Sequence, residues 1–181
     1  MSFITYDQLK TSRTLMQKME VFSQASKSHI GKTVFLSHSS KDHDYVADVI
    51  DLLAQFGATT YVDDGDKRLP ITPSHATAEI LKDAVKSCPR FIVLVSPNSY
   101  ASKWIPWELG LADGYKGVPP VAIMPIAATS EEGNWAKQEY LGLYPRIVWR
   151  YGTDYSRIHE VYDPRCHKSW TLRSWLHDNI K

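Results

Sequence analysis

The chain has 181 residues, enough for one domain with modest extensions and a sizeable core. Its 21 basic and 20 acidic side chains nearly cancel, and no basic block appears, which argues against a dedicated nucleic-acid surface. No apolar run approaches the ~20 residues of a bilayer span, and the N-terminus lacks the charged-then-apolar pattern of a secretory leader. With Cys88 and Cys166 isolated and no CxxC, a cytoplasmic protein with no membrane partner is expected.

Thr5-Tyr-Asp-Gln8 fits a capping box, and the segment that follows to about Gln24 has neither Gly nor Pro. Leu15, Met19 and Phe22 recur at helical spacing beside Met16, so one helix is expected that packs a stripe on the domain or on a partner. Residues 23–31 are small and polar and read as a linker. From Thr33 the pattern alternates between short apolar runs and amphipathic segments. Strands are expected at 33–36, 58–62, 91–95, 121–126 and 146–149. Helices are expected over 42–56, stopped by Gly57, over 74–87, and after Ser102. Pro125 inside the fourth strand suggests a strand end or an edge position. The tail from Tyr151 reads as irregular, with a turn at Asp163-Pro164 and a last helix capped by Ser169. Strands alternating with helices of this length imply right-handed βαβ units in an open, doubly wound parallel sheet. Ligands in such sheets bind beyond the carboxyl ends of the strands, so the loops 37–42, 63–70 and 96–103 should converge on one cleft.

The third of these loops carries the pattern of most chemical interest, Ser102-Lys-Trp-Ile-Pro-Trp-Glu108. Pro106 is tolerated in a first helical turn, and Trp104 and Glu108 stand four residues apart, on one helix face. An aromatic plate beside a carboxylate suits a flat ring joined to a sugar. A half-buried Trp packed on the sheet and a solvated Glu would give the same spacing. Ser37-His38 is no hydrolase signature without a Gly-x-Ser-x-Gly elbow. Cys166-His167 with His159 lacks a fourth ligand at a recognised spacing, so no metal is assigned.

Val34-Phe-Leu-Ser-His-Ser-Ser-Lys-Asp42, the acidic loop running to Leu69-Pro70, and Phe91 to Tyr100 with Ser102 to Leu109 together resemble a Toll/interleukin-1 receptor (TIR) domain. The resemblance covers roughly residues 32–150, leaving 1–31 as an N-terminal helix and linker and 151–181 as a C-terminal extension. It implies a flavodoxin-like, five-stranded parallel sheet of order 2-1-3-4-5. It also implies one of two jobs: cleavage of NAD at the nicotinamide–ribose bond, or scaffolding through TIR–TIR assembly. Stand-alone bacterial members act in anti-phage defence, some making a cyclic ADP-ribose isomer that activates a partner effector, as in Thoeris systems. Ser39-Ser40 stands where plant and animal members often carry Arg.

In the catalytic branch the Glu of a Trp-xxx-Glu pattern is essential, which makes Glu108 the catalytic candidate. NAD would be the substrate, with no cofactor. Nicotinamide leaves from a pyridinium, so its departure neutralises a charge and needs no general acid, unlike an alcohol. One buried anion beside the oxocarbenium-like ribose is then sufficient. The substrate-binding candidates are Trp104 for stacking, Ser39, Ser40 and Arg68 for the pyrophosphate, His38 beside them, and Asp63 for a ribose hydroxyl or a turn cap. A nucleoside deoxyribosyltransferase-like enzyme also sets a Glu against a sugar, but it would act on free nucleosides. A phosphoacceptor receiver would need an Asp where Ser96-Pro97 stands.

Overall fold

The computed structural model describes residues 1–64, 66, 74–127 and 139–179. Its strands are β1 (Ile4–Thr5), β2 (Val34–Ser37), β3 (Thr60–Tyr61), β4 (Arg90–Val95), β5 (Val121–Ala127), β6 (Arg146–Tyr151), β7 (Arg157–Asp163) and β8 (Lys168–Thr171). Its helices are α1 (Tyr6–Leu9), α2 (Leu15–Ala25), α3 (His43–Gln55), α4 (His75–Ser87), α5 (Trp104–Lys116) and α6 (Leu172–His177). The five expected strands are all present and lie in the order β3-β2-β4-β5-β6, every pair parallel, which is 2-1-3-4-5 counted along the chain. Among the described residues the sheet has eight strands rather than five.

Alternation along each strand divides the core between two faces. Val34 and Leu36 of β2 and Ile92 and Leu94 of β4 pack with α3 residues Val46, Val49, Ile50 and Leu53. Phe35, Phe91, Val93 and Val95 point the other way, onto Leu81, Ala84 and Val85 of α4 and Ile105, Leu109 and Ala112 of α5. Successive strand side chains lie on opposite sides, and the helical stripes repeat at i, i+3, i+4 and i+7, so both faces close on apolar surface. Gly57, at φ +87°, ends α3, and Gly117, at φ +69°, ends α5, both in the left-handed region that favours glycine.

Three expectations at the periphery are corrected. The single N-terminal helix is divided: Thr5 does cap a helix with Gln8, but that helix is α1, only four residues long, and a second capping box at Thr14 and Gln17 starts α2. Pro125 belongs to a central strand, not an edge. It lies near the carboxyl end of β5, between Ile123, paired with β6, and Ile126, paired with β1. The tail beyond Tyr151 is not irregular: β7 and β8 extend the sheet antiparallel from β6, and Thr171 rather than Ser169 caps α6.

Both additions are built into the same core. Ile4 and Leu9, with Leu172, Trp175 and Leu176, bury themselves on the α3 face of the sheet. Arg90, at the start of β4, donates to the Trp175 and Asp178 carbonyls and lies 5.4 Å over the Trp175 ring. The guanidinium thereby satisfies carbonyls at the end of α6. At the other end, Asp48 of α3 is buried and accepts from Lys18 Nζ at 2.6 Å and Thr11 Oγ1 at 2.6 Å, which docks α2 through Val21, Phe22 and Ala25. Leu15, Met16 and Met19 remain on the outer surface. Because Trp175 is fully buried, Trp175→Ala should cost about 3–5 kcal/mol, read as a lower urea midpoint with an unchanged m-value.

Candidate active site

The site forms where β2 ends. Ser37 follows Phe35 by two residues and so points to the same face, beneath α5. There its hydroxyl donates to Glu108 Oε2 at 2.5 Å. Glu108 occupies a core-facing position of α5, in register with the buried residues Ile105, Leu109 and Ala112, and is only 2% exposed. Its other oxygen, Oε1, is buried with no hydrogen-bond partner among the described residues. An orphaned carboxylate oxygen of this kind costs about 1–3 kcal/mol, more if the group is charged. Burial, then the negative charge of Asp63, push Glu108 well above the usual carboxylate range, and the Ser37 hydroxyl opposes them.

His38 leaves β2 on the opposite face from Ser37. It meets the edge of Phe22 at 6.1 Å and the ring of His43 at 6.0 Å. Asp63, just beyond β3, lies within electrostatic reach of both His38 and Glu108. Burial raises its affinity for a proton, and His38 works against that. Two carboxyl groups and an imidazole thus share one end of the sheet.

The loops are tied together by Asp42, which is fully buried. It accepts from Ser96 Oγ at 2.6 Å and from Asn98 Nδ2 at 2.7 Å, joining the loop after β2 to the loop after β4. The loop after β3 is joined in turn by His43 Nε2 and Asp64 Oδ2, 2.7 Å apart, while Tyr61 Oη, donating to Asp66 Oδ2 at 2.7 Å, ties that loop to its own strand. The convergence expected of these loops therefore holds for their described residues.

The individual candidates fare differently. Glu108, His38 and Asp63 come together. Trp104 is 38% exposed at the first turn of α5 and edge-on to Trp107 at 5.4 Å, so it is a rim residue and not part of the core. Although Trp104 stands four residues from Glu108 on the same helix, it lies at the surface while Glu108 is buried in the floor of the fold. Ser102 Oγ accepts from the Ile105 N–H at 3.3 Å, a cap one residue further out than the helix boundary. Ser39 is buried, and its hydroxyl accepts from the Lys41 N–H at 3.4 Å in a local turn, while Ser40 is exposed. Arg68 lies outside the described residues.

Sequence reasoning missed Ser37 as the partner of Glu108, Asp42 as the loop pin, and the pair His43 and Asp64. Only Ser37 had a legible signal, its two-residue offset from Phe35.

The fold and this site define the class of the protein. A model of the TIR domain matches residues 34–155, and the chain belongs to the TIR-domain family. Over 150 residues it is 37% identical to the probable 3' cyclic ADP-D-ribose synthase ThsB' of Bacillus cereus (strain MSX-D12), covering 81% of this chain and 76% of that protein. Among solved structures it resembles the TIR domain of the Toll-related receptor TRR-2 from Hydra magnipapillata, at 22% identity and a TM-score of 0.42, over 59% of this chain and 79% of that one. No described helix is long and apolar enough to cross a membrane.

The raised proton affinity of Glu108 has a definite consequence for stability. The folded state holds the proton more tightly than the unfolded chain, in which the group titrates near its ordinary 4.5. Wild type should therefore lose stability relative to Glu108→Gln as pH climbs above about 4.5, until Glu108 itself ionises. Melting temperatures of the two proteins across pH check this: the value for Glu108→Gln minus that for wild type should rise with pH, and one that stays flat or falls contradicts it.

Proposed function

We propose that the protein cleaves NAD at the nicotinamide–ribose bond and makes a cyclic ADP-ribose isomer as a signal in anti-phage defence. The observation that carries this reading is Glu108, a carboxylate buried at the end of a parallel strand with one oxygen left without a partner. A module that worked by surface contacts alone would gain nothing from that arrangement, whose desolvation weakens the fold. The 37% identity to a probable 3' cyclic ADP-D-ribose synthase supports the same reading.

In the reaction the C–N bond breaks and its electron pair goes to nicotinamide, which leaves neutral. Positive charge moves onto the ribose. The Glu108 carboxylate faces that charge and stabilises it in a dry site, where electrostatic stabilisation is largest. A hydroxyl of the adenosine ribose then attacks the anomeric carbon and closes the ring, releasing a proton. If water attacks instead, the product is ADP-ribose. The cationic substrate supplies a countercharge that opposes the burial-driven rise in the proton affinity of Glu108 and favours its ionised form. Trp104 at the rim would stack a ring of the substrate. Asp63 and His38 would hold ribose and pyrophosphate oxygens, with Ser39, Ser40 and Arg68 as further phosphate contacts. Self-assembly through TIR–TIR contacts and a downstream effector that senses the nucleotide complete the reading.

Incubating the purified protein with NAD and separating the products by chromatography with mass detection tests it directly. Glu108→Gln should stay folded and lose turnover; near-wild-type turnover in that variant would remove Glu108 from the mechanism. Trp104→Ala should act mainly on KM, since one stacked ring is worth about 1–3 kcal/mol. The acid limb of kcat/KM should fall above 4.5, the ordinary value for Glu, because the free enzyme must give up a tightly held proton.

A further inference from the structure

Beside Glu108 lies a second group of side chains, of which only His38 also enters the proposed handling of NAD. His38, His43 and Asp64 each offer one ligand atom, and these atoms all lie within 4.8 Å of one another. They come from three separate places: the end of β2, the first turn of α3 and the loop after β3. We propose that these three residues form a binding site for a divalent cation of the zinc type.

The state of His38 is the main support. The residue is 8% exposed, and its Nε2 is buried with no hydrogen-bond partner among the described residues. Nδ1 lies 3.4 Å from the Leu36 carbonyl. A proton on Nδ1 directed at that carbonyl leaves a lone pair on Nε2, the form in which imidazole binds metals. Ligating histidines typically have their other nitrogen held by a carbonyl or carboxylate in this way. A buried acceptor with nothing to accept destabilises the fold, and a cation would satisfy it.

The other two ligands are already paired. His43 Nε2 and Asp64 Oδ2 are 2.7 Å apart, a spacing at which they share a proton. A cation can take that proton's place between an imidazole and a carboxylate. Two imidazoles and one carboxylate are a donor set that suits zinc, at about 2.0–2.2 Å per bond. Gathering the three atoms around one ion at that bond length calls for closure of roughly 1–2 Å at the widest spacing and a slight opening of the His43–Asp64 pair. Three protein ligands leave at least one coordination position open, as in zinc sites that bind water or a ligand oxygen. Phe22 of α2 forms an apolar wall, with its ring 4.8 Å from His43 and edge-on to His38 at 6.1 Å. This gives the N-terminal addition a role in holding both imidazoles, since the shell around a metal site governs ligand orientation and solvent access.

The test is a titration of the full, chelator-treated chain with Co2+, followed by displacement with Zn2+. One equivalent of Co2+ should bind and give visible d–d bands without a thiolate charge-transfer band, and Zn2+ should abolish them. His43→Gln and Asp64→Asn should each weaken binding by about 10-fold or more. His43 and Asp64 are partly exposed, so both variants should stay folded even if His38→Gln does not. Cys166→Ser should change nothing. No saturable binding, binding that His43→Gln leaves intact, or a signal that vanishes with Cys166→Ser would overturn the proposal. Turnover of NAD is not read at any step, so the fate of this site and that of the proposed reaction are separable.

Discussion

Desolvation of the Glu108 carboxylate is the constraint around which this molecule is arranged. A carboxylate at a core-facing position of α5, among Ile105, Leu109 and Ala112, would ordinarily be excluded from such a stripe. It is accommodated because Ser37 reaches it from the sheet, and because burial raises its affinity for a proton. Neither adjustment is complete, since Oε1 still has no partner among the described residues. The remaining disfavour is offset by the rest of the fold, whose two apolar layers are nearly free of solvent. Burial of this carboxyl thus works against the stability of the fold.

The surrounding polar groups form a connected set. Asp42 fastens two loops through Ser96 and Asn98, and His43 with Asp64 fastens the third. Each bond fixes a loop that leaves the carboxyl end of a strand, the region where open α/β sheets place their ligands. Asp63 interacts electrostatically with both Glu108 and His38, so a change of charge at one site is felt at its neighbour. Substrate or cation arriving at this end of the sheet thus meets groups whose protonation is already interdependent.

The additions at both ends of the chain show how the basic sheet has been enlarged. β1 pairs with β5 and the β7–β8 hairpin covers the outer edge of β6, so the parallel sheet does not end at an open edge there. α6 is held by Arg90, whose guanidinium serves both the terminal carbonyls and the Trp175 ring. α2 brings Phe22 to the two imidazoles while leaving Leu15, Met16 and Met19 outside. Helical spacing alone had grouped Leu15 and Met19 with Phe22 as one packing stripe. The buried stripe runs instead through Phe22 and Ala25, because Asp48 and Asp51 of α3 anchor Lys18 and Arg13 and thereby set the rotation of the helix.

The order of strands and helices from 33 to 150 was legible because it rests on local periodicity, which the chain carries within windows of a few residues. Glu108 was legible for a related reason, since a Trp and a Glu four apart in a TIR-like frame single it out. Its burial was not, because an i, i+4 spacing fixes relative direction on a helix and says nothing about which side faces the core. Trp104 proved to be at the rim and Glu108 in the floor. The β7–β8 hairpin escaped notice because its turn carries no Asn-Gly or Asp-Gly signal, and its strands are half polar. By itself, then, the sequence determined the alternation of elements and singled out Glu108 as the candidate carboxylate. Tertiary structure alone decided the partnership of Ser37 with Glu108 and the meeting of His38, His43 and Asp64. Those contacts join residues from different loops and faces, and long-range packing, unlike periodicity, leaves no spacing in the chain to read.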